Sequence, residues 1–147
     1  MGGPQWDTLL GRAPSGEVVL VEAKALVSEL LSPPPQAANP SAERIRGALL
    51  EAAASSKASP GLDWSRRFYQ YTNRLAHAWF IGEVNALPVH LAFVHFIGDK
   101  AMDGPVTRRE WEPHRPSCTR PSACAGGCRK YVAEIFIDVR LAVPALV

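Results

Sequence analysis

The sequence contains no long hydrophobic run and carries little net charge. None of its apolar stretches approaches the roughly 20 residues that a membrane-spanning helix needs, and its first residues lack the pattern of a secretory signal peptide. We therefore expect a protein of the cytoplasm that has no membrane partner. The formal net charge of +2 is too small to establish nucleic-acid binding by itself.

Cysteine is also scarce, and all three cysteines lie in one segment. Cys118, Cys124 and Cys128 fall within residues 103–130, a stretch rich in Pro, Arg, Gly and Cys that predicts a functional or mobile loop. With His114 they could form a Cys₃His zinc site. However, their spacing lacks the Cys-x₂-Cys pair of the usual zinc knuckle. An odd number of cysteines in a protein of the cytoplasm favours free thiols. A disulfide is the third alternative.

The chain has enough apolar residues for one core. It is 147 residues long and 47% hydrophobic, which predicts a single domain over residues 1–147. Runs of alternating and helical periodicity predict these segments: strands 5–12, 17–25, 88–97 and 131–140, and helices 41–56 and 65–83. A strand hairpin, two helices and two further strands are typical of an α/β domain whose helices pack on a mixed sheet.

The first two strands should form an antiparallel hairpin around a turn at residues 13–16, where the sequence is Ala-Pro-Ser-Gly. If Arg12 pairs with Glu17, then Asp7 lies opposite Glu22. Directly opposed residues share a face of the sheet, so these two carboxylates should be neighbours.

Glu22 and Lys24 follow an apolar run and are separated by one alanine, so both side chains should lie on that same face. A slip of the turn by one pairing step would set Asp7 opposite Lys24 and keep all three charges together. Charges on a largely apolar face cost several kcal/mol each unless they are paired. A divalent cation held by Asp7 and Glu22 would offset this cost, and Mg²⁺ suits carboxylate oxygens. The alternative is a strand end in solvent, with Glu and Lys as an ordinary surface pair.

An Asp on one strand of a hairpin followed by Glu-x-Lys on the next resembles the active-site motif of the PD-(D/E)XK, or restriction-endonuclease-like, nuclease superfamily. The resemblance extends over about residues 5–112. Within that superfamily, the chain is similar to an uncharacterised bacterial group. Its segments are Trp6-Asp7, Val19 to Ala25, Ser28-Glu29-Leu30 and Tyr69 to Ala76. It implies an α/β fold of restriction-endonuclease-like type, in which helices flank a mixed sheet.

The resemblance also implies a reaction, which is hydrolysis of DNA phosphodiester bonds with Mg²⁺ or Mn²⁺ as cofactor. Asp7 and Glu22 would be the metal ligands, with the main-chain carbonyl of Ala23 as a third. Lys24 would orient or help deprotonate the attacking water. Gln70, on the second helix, would lie near the metal and the DNA.

Four polar residues of the second helix fall at three- and four-residue spacings. They are Gln70, Asn73, Arg74 and His77. This stripe is predicted to face the hairpin, and the alternative is a solvated helix face. Two histidines of the third strand, His90 and His95, are an odd number of positions apart. They should therefore lie on opposite faces, as structural residues with satisfied hydrogen bonds rather than as joint ligands.

The chain departs from the superfamily at its start. Members normally carry a helix with a further acidic residue, and often a strand, before the Asp motif. We therefore expect a shortened version that lacks the N-terminal helix, or a domain whose edge is completed by a partner such as a second copy in a homodimer. Two alternatives to a nuclease are a nucleic-acid-binding member without activity and a protein-interaction module.

DNA is the expected partner, because basic residues cluster locally although the net charge is small. The clusters are Arg44 and Arg46, then Arg66, Arg67 and Arg74, then Arg108, Arg109, Arg115, Arg120, Arg129 and Lys130. Solvated surface positions are the alternative for each of them.

Overall fold

A computed structural model of the chain describes residues 8–31, 39–55, 68–115 and 132–142. The strands and helices of these ranges are β1 (Thr8–Arg12), β2 (Val18–Lys24), α1 (Asn39–Ser55), α2 (Tyr69–Trp79), β3 (Val89–Ile97), α3 (Arg108–Trp111), β4 (Val132–Asp138) and α4 (Val139–Ala142). The predicted order of strands and helices is confirmed for this part of the chain. None of the helices described is both long and apolar enough to cross a membrane.

The four strands form one mixed sheet in the order β1-β2-β3-β4. β1 and β2 are antiparallel, whereas β2, β3 and β4 are parallel to one another. Parallel neighbours need long connections. The connection from β2 to β3 contains α1 and α2, and the connection from β3 to β4 contains α3. The α/β class with a mixed sheet is therefore confirmed.

The turn between β1 and β2 is one residue longer than the sequence predicts. Arg12 pairs with Val18 rather than with Glu17. The N–H of Ala13 donates to the carbonyl of Glu17 at 2.9 Å, and the N–H of Gly16 donates to the carbonyl of Ala13 at 2.8 Å. Gly16 has a φ of +91°, a left-handed conformation that glycine adopts without strain.

An irregularity in β1 then restores the predicted register. The pairing shifts between Thr8 and Gly11, so that Thr8 lies opposite Val21, its partner in the predicted pairing. A bulge of this kind inserts one residue into one strand of a pair. Asp7 lies outside the described residues, and its position opposite Glu22 stays a prediction.

The helices and one face of the sheet form the core. Leu49 and Ala52 of α1 and Leu75 of α2 are buried in the same hydrophobic cluster as residues of the strands. The ring of Tyr71 stacks on the ring of Phe93 in β3, with centroids 3.7 Å apart and planes 9° apart. This contact holds α2 directly over the middle of the sheet.

The prediction of a continuous loop over residues 103–130 is wrong for its first half. α3 and a short 3₁₀ turn, Glu112–His114, follow Asp103. The side chain of Trp111 is completely buried, and its indole N–H donates to the carbonyl of Phe96 at 3.2 Å. One buried tryptophan therefore anchors on the sheet a segment whose composition is otherwise that of a loop.

β4 ends earlier than the predicted strand 131–140, because Val139 begins α4. Ile135 is 43% exposed, so the apolar residues of β4 do not all face the core. Because side chains alternate along a strand, the core face of β4 instead carries Val132, Glu134 and Phe136. A glutamate therefore lies on this face between two apolar residues.

Candidate functional site

Glu22 and Lys24 lie on the core face of the sheet, near the end of β2. The side chain of Glu22 is 2% exposed and that of Lys24 is 12% exposed. The interpretation of an ordinary surface pair therefore does not hold. A buried charged pair requires compensation from further polar groups, since its desolvation is not repaid by the pair alone.

α2 supplies part of this compensation. Oε1 of Glu22 lies 2.9 Å from Nζ of Lys24, and its Oε2 accepts a hydrogen bond of 2.7 Å from Nε of Arg74. Arg74 is one turn beyond Tyr71, whose ring packs on Phe93. Because Phe93 is the sheet neighbour of Glu22, the packing of α2 carries the guanidinium to the carboxylate.

The predicted polar stripe of α2 divides between two surroundings. Arg74 reaches the hairpin site, as predicted. Asn73 and His77 instead line an apolar groove of about 250 Å³ between α1 and α2, and Nδ1 of His77 lies 2.8 Å from the carbonyl oxygen of Asn73. Consecutive helical residues point about 100° apart, which separates positions 73 and 74. Gln70 lies exposed in the first turn of α2, and its role stays a prediction.

The main chain that follows Lys24 is held from two sides. The carboxylate of Glu29 accepts hydrogen bonds of 2.7 Å from the N–H groups of Ala25 and of Leu26. On the other side, a Cβ atom at Gly104 would lie only 2.9 Å from the carbonyl oxygen of Ala25. The end of β2 is therefore fixed where Lys24 leaves the sheet.

A second carboxylate on the same face was missed by the sequence predictions. Glu134 accepts a hydrogen bond of 2.9 Å from Nε of Arg115 and another from Nη2 of the same guanidinium. Its Oε1 lies 3.9 Å from Nε2 of His95 on the neighbouring strand. The alternation of Val132, Glu134 and Phe136 was the available signal, because it places the glutamate among core positions.

His95 is completely buried between aromatic rings. The centroid of its ring lies 4.7 Å from that of Trp111 and 5.1 Å from that of Phe136. Within the described parts of the chain neither ring nitrogen has a hydrogen-bond partner, so the prediction of a satisfied histidine is wrong. The prediction of opposite faces is confirmed, since His90 is exposed and lies 3.3 Å from a carboxylate oxygen of Glu17.

The burial of His95 fixes its charge. Desolvation, and to a smaller extent the positive charges of Arg115 and Lys24, lower the pKa of His95 from 6.5 to about 4. The imidazole is therefore neutral at physiological pH. Lys24, which pairs with His95 across the two strands, consequently has a neutral neighbour on β3.

The donor chemistry of Glu22 suits Mg²⁺ or Mn²⁺. Its carboxylate offers hard oxygen ligands and is already oriented toward positive charge, since each oxygen has a cationic nitrogen as neighbour. Among the described residues, no three His, Cys, Asp or Glu side chains lie close enough to share one metal ion. The second predicted carboxylate ligand, Asp7, lies outside those residues, and the carbonyl of Ala23 is the third predicted ligand.

The zinc hypothesis cannot be judged from the part of the chain that the structure describes. Of its four residues only His114 lies there, exposed at the end of a 3₁₀ turn. The three cysteines lie outside it. The predictions of a zinc site, of free thiols and of a disulfide all stay open.

Two arginines of the predicted basic clusters, Arg74 and Arg115, pair with carboxylates of the sheet in this structure. A third, Arg108, lies with its guanidinium carbon 4.8 Å from the ring centroid of Phe136. The arginines of these clusters that the structure leaves exposed are Arg44, Arg46, Arg108 and Arg109. The others, at 66, 67, 120 and 129, and Lys130 lie outside the described residues.

Protein-family models, curated proteins and solved structures yield no match to this chain. A function therefore has to come from the chemistry of its own side chains. The side chains that offer most are the buried Glu22 and Lys24 of β2 together with Arg74 of α2, because they combine a hard anionic ligand with two positive charges.

Proposed function

We propose that the protein is a metal-dependent nuclease of restriction-endonuclease-like fold that hydrolyses DNA phosphodiester bonds. The observation that supports this most is the burial of Glu22 and Lys24 on the core face of a strand inside the sheet. Apolar residues of similar volume would stabilise this position at least as well. A charged pair at such a position is therefore better explained by chemistry than by stability.

The proposed roles follow from the position of each group. Glu22 holds the metal together with Asp7 and the carbonyl of Ala23. Bound there, Mg²⁺ or Mn²⁺ would polarise the phosphoryl group and lower the pKa of a bound water. Lys24 orients that water, helps to deprotonate it and stabilises negative charge on the phosphate. Gln70, exposed at the start of α2, contacts the DNA.

A nucleic-acid-binding protein without catalysis is the second candidate. The observation that favours it is the presence of two cationic side chains, Lys24 and Arg74, at the one carboxylate of Glu22. Cationic groups of this kind attract phosphates whether or not a bond is cleaved.

Cleavage assays separate the two candidates. Purified protein is incubated with labelled single-stranded and double-stranded DNA in Mg²⁺ or Mn²⁺, with a chelator as control. We expect metal-dependent cleavage, and we expect Lys24→Ala to lower its rate at least about a hundredfold, because proton transfer and charge stabilisation are both lost. Circular dichroism should show the same fold for both proteins.

Lys100→Ala is the matched control, because Lys100 is an exposed lysine outside the site. Its cleavage rate should equal that of the wild type. The nuclease proposal fails if the wild type cleaves neither substrate, or if Lys24→Ala cleaves as fast as the wild type. Binding of DNA without cleavage would favour the second candidate.

A further inference from the structure

Arg74 occupies the space in which a metal would approach Glu22. Nε of Arg74 lies 2.7 Å from one carboxylate oxygen, and Nζ of Lys24 lies 2.9 Å from the other. The side chains of Arg74 and Glu22 are 7% and 2% exposed, so the contact is shielded from water. Both oxygens of Glu22 therefore already have a cationic neighbour.

A divalent cation has to displace one of these two neighbours. Mg²⁺ binds carboxylate oxygens at about 2.0–2.1 Å, so a cationic nitrogen on the same oxygen would lie within a few ångströms of it. Like charges at that distance repel strongly in a poorly hydrated site. The proposed reaction needs Lys24 beside the metal, where it orients the attacking water. Arg74 is therefore the neighbour that gives up its place on Glu22.

We propose that a divalent cation displaces Arg74 from Glu22 and that the released guanidinium binds the phosphate of the nucleic acid. This inference rests on the proposed nuclease function and adds to it a residue that changes partner. A guanidinium matches the oxygens of a phosphate with paired hydrogen bonds. A phosphate that coordinates a metal held by Glu22 would also arrive within reach of Arg74.

The exchange couples the metal to the substrate. In the absence of a phosphate, the displaced guanidinium stays close to the metal and is repelled by it, which weakens metal binding. The phosphate removes this repulsion because it lies between the two positive groups. Metal and DNA should therefore strengthen each other's binding by the same factor, and Arg74 should carry much of that coupling.

Calorimetric titration with Mn²⁺ tests the first half of the exchange. Arg74→Met keeps an unbranched side chain and removes the charge. We expect its dissociation constant for Mn²⁺ to be at least about tenfold lower than that of the wild type, because a charge-assisted hydrogen bond no longer competes for Glu22. Arg46→Met, which changes an exposed arginine of α1, should bind Mn²⁺ as the wild type does.

Arg74→Lys guards against a variant that fails to fold, which circular dichroism would show. It keeps the charge but lacks the planar guanidinium, so its affinity for Mn²⁺ should rise by a smaller factor, about threefold. Equal or weaker Mn²⁺ binding by Arg74→Met and Arg74→Lys overturns the inference. Binding of Mn²⁺ by the two Arg74 variants but not by the wild type supports the inference and contradicts nuclease activity of the wild type. Absence of binding in all of these proteins, at about 10 mM Mn²⁺, a concentration far above ordinary site affinities, overturns both proposals.

Fluorescence anisotropy tests the second half. A labelled DNA duplex is titrated with Lys24→Ala and with Lys24→Ala/Arg74→Met, which should leave it uncleaved, in the presence and absence of Mn²⁺. We expect Mn²⁺ to tighten DNA binding by Lys24→Ala, and we expect the double variant to lose at least about tenfold of this gain. If the double variant keeps the whole gain, Arg74 does not receive the phosphate and the exchange is wrong.

Discussion

Glu22 and Glu134 occupy the same row of the sheet, on either side of Phe93, and an arginine from outside the sheet binds each of them. They differ in the residue that follows two positions later on the same face. After Glu22 this residue is Lys24, whereas after Glu134 it is Phe136. Glu22 is also the more deeply buried of the two, with side-chain exposures of 2% and 13%.

The difference separates what the fold needs from what a reaction needs. One arginine is enough to neutralise a glutamate and to attach a helix or a loop to the sheet, as Glu134 and Arg115 show. Glu22 has an arginine of the same kind and, in addition, a lysine on its own strand. In the proposed nuclease this lysine serves the anionic substrate and the proton transfer.

The largest expected effect is a contrast in activity between the two carboxylates. Glu22→Gln should lower metal-dependent DNA cleavage at least about a hundredfold, because a charged metal ligand is lost. Glu134→Gln should leave the rate within about threefold of the wild type, because its carboxylate is proposed to be structural. Rates are measured at saturating Mg²⁺ and at a temperature where both variants are folded. Equal losses of activity in the two variants would remove the distinction between the two carboxylates.

The next effect concerns stability, and here Glu134 should matter. Glu134→Gln should lower the free energy of unfolding by about 2 kcal/mol, because a charge-assisted pair in a largely buried position is replaced by weaker hydrogen bonds. Urea denaturation of Glu134→Gln, Arg115→Gln and the double variant gives the coupling between the two residues. A coupling near zero would show that the pair does not fasten the 112–115 region to β4.

The smallest effect concerns His95, which lies on β3 between Lys24 and Phe136. Its pKa falls from 6.5 to about 4 on folding. Below pH 6.5 the unfolded chain takes up a proton that the folded chain refuses until about pH 4, so stability falls as the pH falls through this window. Relative to His95→Phe, the wild type should lose roughly 1 kcal/mol between about pH 7.5 and about pH 5.5. Thermal unfolding at a series of pH values measures this, and parallel curves for the two proteins would contradict it.

Local spacing in the sequence was sufficient to predict that Glu22 and Lys24 share the buried face of the sheet. One alanine between Glu22 and Lys24 places both on one face, and the preceding apolar run shows which face is buried. The three- and four-residue spacing on α2 also placed Arg74 toward that face. These inferences need only the periods of a strand and a helix.

The surroundings of Glu134 depend on contacts between residues far apart in the sequence, which local spacing does not predict. Its partner Arg115 lies 19 residues earlier, in a stretch whose prolines and arginines predict a loop. The register of β4 on β3 follows a long connection that contains the buried Trp111, and the sequence patterns did not assign Glu134 to a face. The bulge in β1 likewise shifted Arg12 from its predicted partner without changing that of Thr8.

The close approach of Gly104 to the carbonyl of Ala25 affects when the main chain at the end of β2 loses its conformational entropy. Together with the carboxylate of Glu29, it orders the main chain at the end of β2 when the protein folds. The conformational entropy of this segment is therefore lost when the protein folds and not when a substrate binds. In the proposed nuclease, Lys24 on this support begins each encounter with its amine already near the phosphate, which raises its effective concentration there.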